Sequence, residues 1–156
     1  MKVLFVCDGN ICRSPMAAEY LRHRAVREGL SHVLVDSAGV LGIEGAPAAP
    51  LSVAIAREAG LDLTRHRSRG VTIADMRTAD LVVAMTLTQL ETLERRFPAA
   101  DRPRTLVRAF EHGPAPRGGA PELDDPVAGP IEGYRDAFAI IRTCIDHLVL
   151  HLRHAP

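Results

Sequence analysis

Residues 3–15 of the chain are VLFVCDGNICRSP, and the prediction of the fold starts from this stretch. Its first four residues are apolar, which is typical of a short strand buried on both faces of a parallel sheet. Ser14 and Pro15 indicate a helix start, because serine favours the N-cap and proline the first helical position. The stretch therefore predicts a buried strand that a short loop joins to a helix.

The rest of the chain repeats this alternation of strand-like and helix-like segments. Further strands are predicted at residues 33–35, 81–85 and 105–107, and helices at residues 14–29, 50–59, 88–97 and around 134–152, with a short helix opened by Thr72 and Asp75. The pattern predicts an α/β fold, a three-layer αβα arrangement with a four-stranded parallel sheet, in a single domain of residues 1–156. In such sheets ligands bind at the carboxyl ends of the strands.

Composition excludes several classes of protein. The 156 residues carry 19 basic and 19 acidic side chains, and a neutral chain argues against general nucleic-acid binding. No apolar run approaches the roughly 18 residues that a membrane span requires. The 3 cysteines are too few for a disulfide scaffold, so we expect a cytoplasmic protein. Only 4 Phe and 2 Tyr are present, with no Trp.

The loop after the first strand has the features of an anion-binding site. A loop that turns into a helix directs backbone N–H groups and the helix dipole toward an anion. Gly9 permits a tight turn, and the planar fork of Arg13 matches two phosphate oxygens. The same positive field favours the thiolate form of Cys7, a nucleophile for phosphoryl transfer, to which Ser14 can donate its hydroxyl.

The string CDGNICRSPM at residues 7–16 closely resembles the phosphate-binding loop of the low molecular weight protein tyrosine phosphatases. The resemblance implies that phosphate is held by the loop residues Asp8, Gly9, Asn10, Ile11, Cys12, Arg13 and Ser14. The segments at residues 37–39 and 66–69 resemble two further segments of that family. They imply that Ser37 and His66 hold Asn10 and keep the loop in its shape.

The resemblance also implies a general acid. Family members carry it in an Asp-Pro pair of a late loop, and here Asp124-Asp125-Pro126 follows the Gly- and Pro-rich residues 113–121. The family pattern selects Asp125, directly before the proline, with Asp124 as the alternative. Cys7 would then attack phosphorus, Asp125 would protonate the leaving oxygen, and water would release phosphate from the cysteine.

Neither a cofactor nor a metal is expected for this chemistry. His147, His151 and His154 lie near the end of the last predicted helix, where cations interact favourably with the helix dipole, and no acidic third ligand flanks them. Cys12 has two interpretations. In the family a second loop cysteine can form a disulfide with the nucleophile, here Cys7, which limits over-oxidation; alternatively Cys12 is a buried packing thiol.

The chain departs from the family pattern around the substrate slot. Asp8 places a carboxylate beside the nucleophile, where it either opposes the thiolate and phosphate or faces outward and disfavours acidic substrates. Tyrosine phosphatases of the family often wall the slot with aromatic residues, whereas the corresponding positions here are Leu41, Ile43 and Val127. An aliphatic slot loses about 0.5–1.5 kcal/mol of aromatic stacking per pair.

The substrate prediction rests on conflicting residues. Thr86 and the residues after Pro126 resemble the protein arginine phosphatase branch, whereas Ile11 is the tyrosine-phosphatase choice and lies at the site itself. We predict hydrolysis of phosphotyrosine on a phosphorylated protein, with arginine phosphatase as the alternative. A thioredoxin-coupled arsenate reductase would need cysteines within residues 80–100, which contain none, whereas an arsenate reductase that uses an external thiol stays open as a lesser alternative. A module that only binds phosphate or another oxyanion is disfavoured, because such a module needs neither a nucleophile nor an acid.

Overall fold

A four-stranded parallel sheet lies at the centre of the computed structural model, which describes residues 1–154. The strands are β1 (Lys2–Cys7), β2 (Leu34–Gly39), β3 (Leu81–Ala84) and β4 (Arg104–Leu106), in the spatial order β2-β1-β3-β4. The helices are α1 (Arg13–Arg27), α2 (Pro50–Glu58), α3 (Ile73–Thr78), α4 (Leu87–Arg96) and α5 (Ile131–Arg153), with a 3₁₀ turn at Val107–Phe110. The predicted α/β fold with its parallel sheet is confirmed.

Two apolar clusters on opposite faces of the sheet account for the three layers. Successive side chains of a strand point to opposite faces, so Val3 of β1 packs into the cluster that contains α1 and α5. Its neighbour Leu4 packs into a smaller cluster with Met76 of α3 and Leu93 of α4. A strand buried on both faces has to be apolar throughout, as the first stretch of sequence is. Within residues 1–154, no helix combines the length and the apolar character that crossing a membrane demands.

The start of α1 differs from its prediction. The helix begins at Arg13, Cys12 occupies the N-cap position, and no side chain caps the helix there. The prediction that Ser14 is the N-cap is therefore wrong. The reason is that the Ser14 hydroxyl bonds to the Cys7 sulfur and to the Asn10 side chain instead.

The other differences concern strand ends. The second strand extends to Gly39 rather than ending at residue 35, because β2 stays in parallel register with β1 as far as the Cys7–Gly39 pair. Residues 37–39 (Ser-Ala-Gly), which resemble a segment of the family, thus form the end of β2. The fourth strand ends at Leu106, and the chain continues as a 3₁₀ turn that the apolar pattern did not indicate.

Candidate active site

The candidate site lies at the carboxyl ends of β1 and β2. Cys7 is the last residue of β1 and pairs in register with Gly39, the last residue of β2. Residues 8–12 form a short loop between β1 and α1, so that Arg13 stands at the start of the helix. The residues predicted for the phosphate-binding loop therefore surround a helix N-terminus, where backbone N–H groups and the helix dipole favour an anion.

The Cys7 sulfur is buried, with the residue 2% exposed, and it has two polar neighbours. The Ser14 hydroxyl oxygen lies 3.0 Å from Sγ, and the backbone N–H of Asn10 donates to Sγ at 3.3 Å. Donors that face a sulfur stabilise negative charge on it. This arrangement is the one expected of a nucleophilic thiolate, and the Ser14 hydroxyl lies within hydrogen-bond distance of the sulfur, as its predicted role requires.

Arg13 is almost fully buried, at 1% exposure, and its guanidinium contacts three oxygen atoms. Nη1 donates to the Leu123 carbonyl at 2.8 Å, while Nη2 lies 3.2 Å from Oδ2 of Asp8 and 3.1 Å from Oδ2 of Asp125. Its Nε atom has no hydrogen-bond partner among residues 1–154. A buried donor without an acceptor is costly, so an oxyanion bound beside Nε would be favoured.

Asn10 organises the loop through four further hydrogen bonds. Its side-chain Nδ2 donates to the hydroxyls of Ser14 at 2.9 Å and Ser37 at 3.0 Å, and its Oδ1 accepts from the backbone N–H of Arg69 at 3.0 Å. Its carbonyl accepts from Nε2 of His66 at 2.6 Å. These bonds hold a residue whose φ of 57° is unfavourable for a side chain with a Cβ. Ser37 and His66 are thus beside Asn10, where the resemblance put them.

His66 acts on the loop as a neutral donor. Burial lowers the pKa of His66, although its bond to the Asn10 carbonyl favours the charged form. A carbonyl can only accept, so the proton of the neutral ring is on Nε2.

Arg69, whose backbone N–H donates to Oδ1 of Asn10, was not predicted as a site residue. Its guanidinium makes two bonds to Asp75, at 2.8 and 3.0 Å, and pairs with Asp36 of β2 at 2.9 Å. Burial opposes ionisation of Asp75, but bonds from Arg69 and Thr72 outweigh it and hold the pKa of Asp75 below its ordinary value. The Thr72–Asp75 capping box was visible in the sequence. The carboxylate of Asp75, six residues after Arg69, was the signal from which this ion pair could have been predicted.

Both carboxylate oxygens of Asp8 are bound by other side chains. Its Oδ2 pairs with Arg13, and its Oδ1 accepts from Nε2 of Gln89 at 3.0 Å. Gln89 is fully buried and caps α4, since its Oε1 accepts the backbone N–H groups of Met85 and Thr86. Gln89 was not predicted, although Thr-x-x-Gln at residues 86–89 is a capping-box pattern.

The two candidate acids differ in their contacts. Asp125 pairs with Arg13 through Oδ2, its Oδ1 accepts from the backbone N–H of Val127 at 3.1 Å, and 33% of its side chain is exposed. Asp124 is exposed, and no ion pair or hydrogen bond joins its side chain to Arg13 in the part of the chain that the structure describes. The geometry therefore favours Asp125 as the carboxyl group that faces the site.

A cavity of about 270 Å³ joins these groups. All the residues that line it belong to the sets predicted from the sequence, including the slot residues Leu41, Ile43 and Val127. Those three side chains are exposed apolar groups, whereas Cys7 and Arg13 are buried. The cavity thus combines a polar, anion-binding interior with aliphatic walls near its opening.

The remaining cysteines are free thiols. Burial raises the pKa of Cys12, whose Sγ lies 3.8 Å from the Tyr134 hydroxyl, and burial together with this contact raises the pKa of Tyr134 to about 12. Burial raises the pKa of Cys144 to about 12, as expected for an inert core thiol. Within residues 1–154, no group of three His, Cys, Asp or Glu side chains is arranged to hold a metal ion.

Gly39 is needed because the loop passes directly over it. A Cβ at this position would lie 2.6 Å from the Asp8 carbonyl oxygen and 2.9 Å from the Asn10 nitrogen, both of them backbone atoms. We expect Gly39→Ala to lower turnover by displacing the loop, and to lower the free energy of unfolding by about 1–3 kcal/mol. Thermal unfolding and steady-state kinetics measure both effects. Gly118→Ala, where no atom lies within 4 Å of the added Cβ, is the control, and equal effects in both variants would contradict the prediction.

Comparison with known proteins identifies the family of this chain. Residues 2–155 match the family model described as low molecular weight phosphotyrosine protein phosphatase. The chain belongs to this family. The resemblance stated from residues 7–16 is confirmed, and with it the expectation of a cysteine-based phosphatase.

Relatives within the phosphatase family have two different names. A protein-arginine-phosphatase of Geobacillus stearothermophilus is 36% identical over 152 residues, covering 97% of this chain and 96% of the relative. A probable low molecular weight protein-tyrosine-phosphatase EpsP of Ralstonia solanacearum is 33% identical over 151 residues, covering 97% and 95%. The solved structure of a YwlE arginine phosphatase mutant superposes with a TM-score of 0.89 at 30% identity, covering 99% of this chain and 97% of that one.

Proposed function

We propose that this protein hydrolyses phosphotyrosine on protein substrates through a phosphocysteine at Cys7. The observation that carries the proposal is the single cavity in which the buried Cys7 sulfur lies among Arg13 and Asp125, with apolar walls at the opening. A nucleophile, an oxyanion-binding guanidinium and a carboxyl group together meet the requirements of phosphoryl transfer to a cysteine.

In the first step, the Cys7 thiolate attacks phosphorus and the bond from phosphorus to the tyrosine oxygen breaks. Asp125, in its protonated form, gives its proton to the departing oxygen, so tyrosine leaves as a neutral phenol. Arg13 and the backbone N–H groups of the loop stabilise the charge on the transferring phosphoryl group. The products of this step are tyrosine and a phosphocysteine.

In the second step, water attacks the phosphocysteine. The Asp125 carboxylate, deprotonated by the first step, accepts a proton from the water, and the bond from sulfur to phosphorus breaks. Inorganic phosphate leaves, and Cys7 returns to the thiolate. The Ser14 hydroxyl, 3.0 Å from the sulfur, stabilises the thiolate as a leaving group.

Phosphoarginine hydrolysis is the second candidate, favoured by one observation on the slot. Its walls are Leu41, Ile43 and Val127, without an aromatic ring to stack on a phenol. The 36% identical relative named as a protein-arginine-phosphatase supports the same candidate. Ile11, which also lines the cavity, supports phosphotyrosine, because it offers the phosphoryl-bearing group only an apolar contact.

The test is steady-state hydrolysis of phosphotyrosine and phosphoarginine peptides of matched sequence, with Cys7→Ser as the blank. We expect the higher kcat/KM for phosphotyrosine. A tenfold preference for phosphoarginine would replace the first candidate with the second. If neither peptide is hydrolysed, a phosphate-binding module or a reductase becomes the better description, and arsenate reduction with added thiol separates those two.

The acid is tested by paired substitutions in the same loop. We expect Asp125→Asn to lower kcat for a phosphotyrosine peptide by about 10²–10⁴-fold, because an amide cannot protonate the leaving oxygen. The loss should be much smaller for a substrate whose leaving group is a good one, such as a nitrophenol. Asp124→Asn is the matched control and should have little effect. Equal losses in the two variants would rule out the assignment of Asp125.

We also propose that the protein acts in the cytoplasm on phosphorylated proteins and releases inorganic phosphate. The support is chemical, since a catalytic thiolate and two further free cysteines suit a reducing compartment.

A further inference from the structure

Asp8 carries a charge in the active-site loop that the proposed mechanism does not use. Its side chain is 46% exposed and lines the same cavity as Cys7 and Arg13. A carboxylate here lies directly beside the nucleophile in the chain and within 3.2 Å of the guanidinium that holds the oxyanion. Its presence calls for a physical explanation, because it opposes the binding of a phosphoryl dianion.

The carboxylate is held in this place by the protein. Gln89 accepts two backbone N–H groups through Oε1, which orients its amide so that Nε2 faces Oδ1 of Asp8. The other oxygen of Asp8 is thereby directed at Arg13. Because Gln89 and Arg13 are both buried, they hold the two oxygens of the Asp8 carboxylate at the cavity wall.

Arg13 does not depend on Asp8 for its orientation. Its guanidinium also bonds to the Leu123 carbonyl and pairs with Asp125, and the side chain is buried. Removal of the Asp8 charge would therefore leave Arg13 in place and change the electrostatic balance of the cavity. Of the residues that line the cavity, Arg13 is the one with a cationic side chain, while Asp8 and Asp125 carry carboxyl groups.

We propose that Asp8 is a specificity-determining residue that selects substrates with a positive charge next to the phosphoryl group. This inference rests on the proposed phosphatase function and deepens it. A cation beside the phosphoryl group offsets the repulsion from Asp8, whereas an acidic neighbour adds to it. The cation can come from basic residues that flank a phosphotyrosine, or from the phosphorylated group itself when that group is a guanidinium.

The experiment compares three peptides in the wild type and in Asp8→Asn. The peptides are a phosphotyrosine flanked by arginines, the same phosphotyrosine flanked by glutamates, and a phosphoarginine with neutral neighbours. Loss of the Asp8 charge should raise kcat/KM for the glutamate-flanked peptide by about fivefold, and leave the arginine-flanked one unchanged or lower. In the wild type, the ratio of kcat/KM for the arginine-flanked peptide to that for the glutamate-flanked peptide should fall with added salt. It should approach the ratio of Asp8→Asn, because salt screens the Asp8 charge. A fall in kcat/KM confined to phosphoarginine identifies the guanidinium as the source of the cation.

Three further variants separate charge from structure. Asp8→Ser is a second neutral variant in case Asp8→Asn unfolds, and Asp8→Glu keeps the charge and should keep the wild-type ratio. Asp101→Asn, which removes one exposed charge before β4 at the opposite end of the sheet, should also keep it. The proposal would be overturned if both neutral variants kept the wild-type ratio of the flanked peptides and also the wild-type kcat/KM for phosphoarginine.

Binding of inorganic phosphate distinguishes failure of this inference from failure of the proposed function. Calorimetry should give about fivefold tighter phosphate binding to Asp8→Asn than to the wild type, whether or not any peptide is hydrolysed. Hydrolysis by the wild type with equal phosphate affinities in both proteins would reject the role of Asp8 alone. Tighter binding by Asp8→Asn without hydrolysis by the wild type would reject the proposed phosphatase function and retain the charge effect.

Discussion

Replacement of Cys7 by serine is expected to abolish turnover while the fold and the phosphate site persist. A serine hydroxyl is far less acidic than a thiol and forms a much poorer leaving group from phosphorus, so both chemical steps fail. We expect kcat to fall by at least about 10⁴-fold, the size of loss seen when a nucleophile is removed. Inorganic phosphate should bind at least as tightly as to the wild type, because the negative charge of the thiolate is gone.

The control for this prediction is the same substitution at Cys144, which is buried in α5 outside the cavity. Cys144→Ser should lower the free energy of unfolding, since it buries a hydroxyl, and should leave the activity of the folded protein unchanged. Kinetics, phosphate calorimetry and thermal unfolding on both variants provide the comparison. Turnover by Cys7→Ser above the level of the assay blank would mean that another group attacks phosphorus.

The fold could be predicted because its signals are local. The four apolar residues after Lys2 are typical of a strand covered on both faces, and two clusters bury them from opposite sides. The apolar residues of α5 recur every three or four positions from Tyr134 to Leu152 and so lie along one side of the helix, which packs on the core beneath it. Parallel strands joined by helices then put the loop after β1 at the carboxyl edge of the sheet, where the site is found.

The contacts of Ser37 and His66 with Asn10 were implied by the family resemblance. Other contacts that orient the site could not be predicted, because they join residues that are remote in sequence and carry no motif. Arg13 bonds to the carbonyl of Leu123, 110 residues later, and any residue supplies a carbonyl, so no side-chain pattern marks it. Gln89 reaches Asp8 only because β3 and β1 are neighbours in the sheet. Such contacts follow from the topology of the fold, and the periodicity of apolar residues in the sequence does not reveal them.

Ser14 shows how a local preference is overridden. Serine before proline at a helix start normally caps the helix, and that propensity is worth about 1 kcal/mol. In the structure the hydroxyl is used by the Cys7 sulfur and by Asn10, and α1 begins without a side-chain cap. The helix N-terminus thus keeps backbone N–H groups available for an anion. A departure from the local rule therefore coincides with the candidate functional site.

Substitution of Arg13 by lysine is the second change for which we expect a large effect. A lysine keeps the charge but presents one compact ammonium group, which cannot bond to the Leu123 carbonyl, pair with both carboxylates and bind an oxyanion together. We expect kcat/KM for a phosphotyrosine peptide to fall by about 10³-fold, as when a donor to a developing charge is lost. The affinity for vanadate should fall in parallel, since the same donors hold the transition-state geometry.

Two comparisons show whether this loss comes from geometry or from charge. Arg142→Lys, on α5 over the rings of Tyr20 and Phe138, makes the same exchange outside the cavity and should leave kcat/KM unchanged. Arg13→Lys should also unfold at a lower temperature than the wild type, because Asp8 and Asp125 lose the guanidinium that they share. If Arg13→Lys instead keeps wild-type kcat/KM, the positive charge alone suffices, and the fork held by Leu123, Asp8 and Asp125 has no part in catalysis. That outcome would leave the backbone N–H groups of the loop as the main stabilisers of the transferring phosphoryl group.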